Sequence, residues 1–207
     1  MAVLKESEAR NLSIQILTSH GFKREQADLI TDILIAAELH GRPTHGLIRL
    51  KGIIGNAEKR DIEIEVEKET ENYALVNGNG CLGYIAAYYA MNLALKKARK
   101  HGIALVGVKN SGHCGMAGYY VRMALQHDCI GIMICNTHPK VVVPEGKTPV
   151  FGTNPIAVAV PSMGEPLVLD MSIHHFDLAG GLEFEELRND RHSPMHPPPS
   201  YAVALAA

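Results

Sequence analysis

The segment YALVNGNGCLGYIAAYYAMNLALKKARKHGIALVGV, residues 73–108, limits the fold more than any other part of the chain. A short apolar run is followed by a glycine-rich break. A long segment with its basic residues in the last turns comes next, then a second apolar run. Apolar runs of four to eight residues bounded by turn signals read as buried strands. Cations gathered at the end of the long segment suit the negative end of a helix dipole. The stretch therefore reads strand, helix, strand, and similar units on both sides extend the pattern. Its glycines, Gly78, Gly80 and Gly83, match G-x-G-x-x-G, the dinucleotide fingerprint. That fingerprint also asks for an acid about 20 residues on, at the end of the following strand. The following strand ends in Lys109 and Asn110, and no acid lies between Ala98 and Gly112. Tyr84 stands where close helix–strand packing favours a small residue. The glycines are thus expected to form a tight strand-to-helix turn. The alternative is a Rossmann-type nucleotide binder in which Lys109 meets a phosphate.

Upstream, apolar residues at helical spacing place helices over 7–19 and 25–39. Pro43 opens a third, because proline lacks only an amide that would be unpaired at a helix start. Residues 1–57 then form a helical module. IEIEVE alternates as a half-exposed strand, and AGYYVRMALQH reads as a helix. IGIMIC, PIAVAV and PLVLDM read as further strands. Alternating strands and helices give an α/β (α+β) sheet domain over 58–172. From residue 173 no amphipathic period continues: four histidines and the run Pro197–Pro199 mark 173–207 as an atypical tail, expected to lack regular structure.

The 207 residues carry a net charge of -2 and a pI near 6.6, which favours neither nucleic acid nor an anionic membrane as partner. No apolar run approaches a membrane span of ~20 residues. MAVLKESEARN has no signal-peptide core, so a cytoplasmic location is expected. The four cysteines form no C-x-x-C pair and read as reduced thiols. No metal-ligand spacing is present.

Four polar clusters could do chemistry. In LHGRPTHGLIRL, His45 and Arg49 are four apart and would share a helix face. Histidine moves protons near neutral pH, and arginine grips a carboxylate with two parallel hydrogen bonds. Together they suit a 2-hydroxy or 2-keto acid. In NSGHCGMAGYY, His113 follows a buried strand between glycines, at the edge where α/β proteins bind ligands. Cys114 beside it has no visible helper and reads as a packed thiol. FGTNPIAVAVP holds the polar turn Thr153-Asn154-Pro155, and LVLDMS ends an apolar strand in Asp170.

Taken in order, these clusters resemble the successive signatures of the malate/L-lactate dehydrogenase family, the non-Rossmann group that includes malate, sulfolactate and ureidoglycolate dehydrogenases. The resemblance covers residues 1 to about 172. It implies an NAD(P)-dependent oxidoreductase with a helical N-terminal part beside a non-Rossmann mixed sheet, commonly a homodimer. It implies hydride transfer between NAD or NADP and a small 2-hydroxy or 2-keto acid. His45 and His113 match the family's histidines, either of which serves as acid/base in different members. Arg49 matches the carboxylate-binding arginine, and Thr153 falls beside the substrate. Asn136, Thr137, Asp170, Met171 and Ser172 match cofactor-contacting segments. The Ser that usually precedes the first histidine is Thr44 here, which keeps the hydroxyl. Family members are longer than this chain and continue past the DMS segment with more sheet. A truncated, catalytically inactive member of the same family is therefore the alternative.

Overall fold

The computed structural model describes residues 4–142, 146–172 and the backbone of 202–206. Two helices open the chain, α1 (Glu6–Ser19) and α2 (Arg24–Leu39). Each starts with half of a capping box: the Lys5 and Lys23 amides donate to the side chains of Glu8 and Gln26. Their buried faces carry Ile14 and Leu17, then Ile30, Ile33 and Leu34.

The third helix differs from expectation. Two 3-10 turns, Pro43–His45 and Leu47–Arg49, precede a short helix, α3 (Leu50–Ile54). The break has a local cause at Gly46. A continuous helix would bond the Leu47 amide to Pro43, but Leu47 donates instead to Glu38 Oε1 at 2.8 Å. A Cβ on Gly46 would lie 2.2 Å from that same carboxylate oxygen, so only glycine lets Glu38 approach.

The rest is a sheet with helices on one face. The strands are β1 (Glu65–Glu69), β2 (Tyr73–Cys81), β3 (Ala104–Ser111), β4 (Gly131–Cys135), β5 (Val141–Val142), β6 (Pro149–Phe151), β7 (Ile156–Val160), β8 (Leu167–Met171) and β9 (Ala202–Ala206). The helix α4 (Gly83–His101) joins β2 to β3, and α5 (Ala117–Leu125) joins β3 to β4. β2 and β3 are parallel and β1 is antiparallel to β2. β4, β7 and β8 form an antiparallel run. Among the described residues the main sheet runs β1-β2-β3-β9-β4-β7-β8, and β5 pairs with β6.

Two further expectations are corrected. The strand read in IEIEVE begins only at Glu65 and continues to Glu69. β2 does not stop at Asn77 in a tight turn. It runs through Gly78 and Gly80 to Cys81, with a bulge that leaves Asn79 and Gly80 at positive φ. Residues 202–206 form a strand between β3 and β4. The remainder of 173–207 lies outside the described residues.

The hydrophobic core runs without a break from α1 and α2 into the sheet. Leu17, Ile30, Ile33 and Leu34 join Val76, Met91, Val106, Tyr120, Met133 and Ala157 in one cluster. Period-two alternation sorts the last strands. Met133, Ala157 and Asp170 share the face under α5, while Ile134, Ile156 and Met171 share the other, as do Val160 and Leu167. That second face is apolar yet open: Ile134 is 41% exposed, Leu167 68% and Leu169 43%. No helix among the described residues is long and apolar enough to cross a membrane.

Candidate active site

The end of β3 turns directly against the start of α4. A Cβ on Gly83 would lie 2.0 Å from the Gly112 carbonyl oxygen and 2.6 Å from the His113 carbonyl carbon. The last glycine of the fingerprint therefore seats the His113 loop. Lys109, the possible phosphate ligand, has its Nζ 2.8 Å from Glu67 Oε2 on β1. This cation already has a partner on the sheet, which counts against the Rossmann-type alternative.

His113 is fixed by its Nδ1. The Gly115 amide donates to it at 3.1 Å, and the Tyr84 hydroxyl lies 3.4 Å away. An amide can only donate, so Nδ1 holds a lone pair and the neutral ring carries its proton on Nε2. Gly115 reaches this position with φ +82°, and an added Cβ would meet the Tyr84 ring at 2.7 Å. The His45 ring stacks on His113 with centroids 5.5 Å apart. His45 Nδ1 sits 3.1 Å from its neighbour Thr44 Oγ1.

Both imidazoles are held towards neutrality. Desolvation pushes His113 down to about 3, with Arg49, His45 and Lys140 adding repulsion. The ring keeps an exposed side, and solvent there screens part of that repulsion. Desolvation also lowers His45, helped by Arg49 and Arg42 and opposed by the nearby Asp170 carboxylate. Arg49 Nε donates to the Thr44 carbonyl at 2.5 Å, which closes the turn around His45. His45 and Arg49 are thus neighbours across two 3-10 turns, and the single helical face expected for them does not exist.

A pocket of about 240 Å³ opens beside His45. Its walls are Arg42, Thr44, His45, Gly115–Ala117, Thr153, Pro155 and Asp170–Ser172. Asp170 Oδ2 accepts the Gly118 amide at 2.7 Å, so one carboxylate oxygen caps the start of α5. Arg42 donates to the Asp170 carbonyl at 2.9 Å and ties the 3-10 turns to β8. Asn136 and Thr137 do not line this pocket, but Thr137 joins it through Thr153. Their hydroxyl oxygens are 3.2 Å apart, and the Thr137 amide donates to Asn154 Oδ1 at 2.9 Å. All four cysteines are free thiols, and Cys114 and Cys135 lie with their sulfurs 4.0 Å apart. The Cys135 thiol favours the Cys114 thiolate, which lowers the pKa of Cys114. Among the described residues no group of three metal-binding side chains exists. Sequence reasoning passed over Arg42 and read Tyr84 only as a misfit in a glycine motif; both were visible as polar side chains flanking a candidate cluster.

A sequence profile of malate/L-lactate dehydrogenases matches residues 4–179. The chain belongs to the malate/L-lactate dehydrogenase family. Within this family it is 42% identical over 174 residues to the malate/(S)-sulfolactate dehydrogenase of Methanothermus fervidus, covering 82% of this chain and 51% of that protein. It is 34% identical over 161 residues to the NAD(+) ureidoglycolate dehydrogenase of Escherichia coli K12, covering 75% of this chain and 46% of that one. The structure of malate dehydrogenase from Pyrococcus horikoshii superposes with a TM-score of 0.79 at 36% identity, over 83% of this chain and 50% of that one. The family fold is therefore present, and the chain spans about half the length of the curated relatives it matches.

Proposed function

We propose that this malate/L-lactate dehydrogenase family member transfers hydride between NAD or NADP and C2 of a small 2-hydroxy or 2-keto acid. The observation that carries the proposal is the stacked pair His45–His113, with the Arg49 charge acting on both rings and a pocket beside His45 that reaches the β8 terminus.

A pocket of about 240 Å³ suits a nicotinamide ring or a small acid, not a whole dinucleotide. Thr153, Asp170, Met171 and Ser172 would hold the nicotinamide end, with Asn136 and Thr137 behind Thr153. The bound nicotinamide supplies or accepts the hydride at the substrate's C2. Arg49 spends Nε on Thr44, which leaves its Nη end for the carboxylate. His113 is neutral and presents Nε2–H, so it donates a hydrogen bond to the substrate oxygen and polarises it. Releasing that proton would leave an imidazolate. The mobile proton therefore belongs to His45, whose neighbour Asp170 partly offsets its desolvation. The family resemblance supports a homodimer, and a cytoplasmic location belongs to the same reading.

The test is oxidation of NADH or NADPH by the chain with pyruvate, oxaloacetate and related keto acids. His45→Ala should lower turnover by roughly 10²–10⁴-fold. Full activity in both His45→Ala and His113→Ala sinks the assignment. The open apolar face of β4, β7 and β8 favours a second reading, in which the chain is inactive until further protein covers that face. Aggregation or non-cooperative unfolding of the chain alone, with no turnover on any keto acid, would support it, whereas cooperative unfolding with stoichiometric NADH or NADPH binding would count against it.

A further inference from the structure

We propose that Tyr84 is a positioning residue that holds His113 with Nδ1 turned inward, so that the substrate side of the ring always presents Nε2–H. This rests on the proposed role of His113.

Three contacts converge on the loop that carries His113. The Tyr84 hydroxyl stands 3.4 Å from Nδ1, and the two rings lie 6.0 Å apart at 53°. The Tyr84 ring occupies the space that a side chain at residue 115 would need, which keeps residue 115 a glycine and its amide 3.1 Å from the same nitrogen. The Tyr120 hydroxyl donates to the Cys114 carbonyl at 2.5 Å and lies 3.5 Å from the Tyr84 carbonyl. Tyr84 is only 3% exposed, so its ring is locked by packing. Desolvation pushes its phenol above the ordinary range, so it remains a proton-bearing donor at any working pH.

The chemistry follows from lone-pair counting. The Gly115 amide can only donate to Nδ1; the Tyr84 phenol could donate or accept, and beside a nitrogen already facing the amide it acts as a second donor. The inward nitrogen therefore stays unprotonated. A proton on Nδ1 would face the Gly115 amide directly. The charged groups facing the ring are Arg49 from the second 3-10 turn, His45 from the first and Lys140 after β4, and all three are cationic or become so on protonation. They oppose the imidazolium from the outer side, and the Gly115 amide opposes a proton on Nδ1 from the inner side.

The experiment is Tyr84→Phe in the full chain, with ¹⁵N-labelled histidine followed by two-bond ¹H–¹⁵N correlation spectra from pH 4 to pH 8. The wild-type His113 should show a single Nε2–H tautomer. In Tyr84→Phe the spectrum should show a tautomer mixture or imidazolium formation at higher pH, because a donor to the neutral ring is lost. Turnover should fall by roughly three- to tenfold in kcat with KM little changed. An unchanged tautomer and an unchanged titration overturn the proposal. If the tautomer shifts but the wild type turns over no keto acid, Tyr84 still positions the ring and the dehydrogenase reading fails. If the wild type is active and Tyr84→Phe leaves both spectrum and kcat unchanged, the dehydrogenase reading stands and the Tyr84 assignment falls.

Discussion

β2 and β3 lie side by side and parallel, and both end in glycine-rich segments at the same edge of the sheet. At the end of β2, polar side chains satisfy one another: Asn77 accepts from the Asn79 amide and from Asn110, and Lys109 pairs with Glu67. At the end of β3, glycines expose a ring with an outward nitrogen. The first end is a packing device that seats the second. Its glycines are demanded by protein neighbours at 78 and 83 and by backbone twist at 80. A glycine fingerprint can thus be satisfied by the protein's own backbone, with no phosphate needed to explain it.

The largest effect should come from the second end. Arg49→Ala removes the proposed carboxylate clamp as well as the bond that closes the Thr44 turn. Activity with keto acids should fall by roughly 10²-fold or more, most visibly as raised KM. Retained KM for every keto acid tested would move the clamp elsewhere, and Arg42 on the pocket wall would be the next candidate.

Gly83→Ala probes the contact between the two ends. Its Cβ would overlap the Gly112 carbonyl, so either backbone must shift. Overpacking of this kind costs about 1–3 kcal/mol. Thermal unfolding should show the loss, and the His113 resonances should move. An unshifted His113 spectrum would mean that the two ends are not coupled.

The third effect is a pH slope. Folded His113 has a depressed pKa, so between about 3 and the ordinary value of ~6.5 the unfolded chain binds more protons than the folded one. Stability should therefore rise with pH through that window and be lost as pH falls through it. His113→Gln should flatten the slope in urea titrations at pH 4, 5 and 6. An identical slope in the variant would mean that the surroundings of His113 do not hold its ring neutral.

The smallest effect belongs to the first end. Lys109→Ala breaks an exposed ion pair and should leave cofactor affinity unchanged. Loss of NADPH binding would revive the fingerprint as a phosphate site.

The sequence disclosed the strands and helices wherever apolar periodicity was long, as in α2, α4 and β3. It also disclosed the His45, His113, Thr153 and Asp170 segments, because each is a polar group bounded by apolar runs or glycines. It did not disclose the break at Gly46, which depends on Glu38 reaching across from α2. Nor did it disclose the passage of β2 through Gly78 and Gly80, since glycines read as a stop locally while pairing with β3, resumed at Cys81 opposite Ser111, carries the strand onward. The alliance of Tyr84 with His113 spans 29 residues and has no periodic signature. The pairing of Thr137 with Thr153 is hidden in the same way.

The central claim is that His45 and His113 form one site, with His45 moving the proton and His113 polarising the oxygen. It is tested most directly by the pH dependence of kcat/KM for keto-acid reduction in wild type, His45→Ala and His113→Ala. The account predicts a single ionisation below 6.5 in the wild type that vanishes in His45→Ala and persists in His113→Ala, where the rate is lower at every pH. An ionisation that vanishes in His113→Ala and survives in His45→Ala would contradict it.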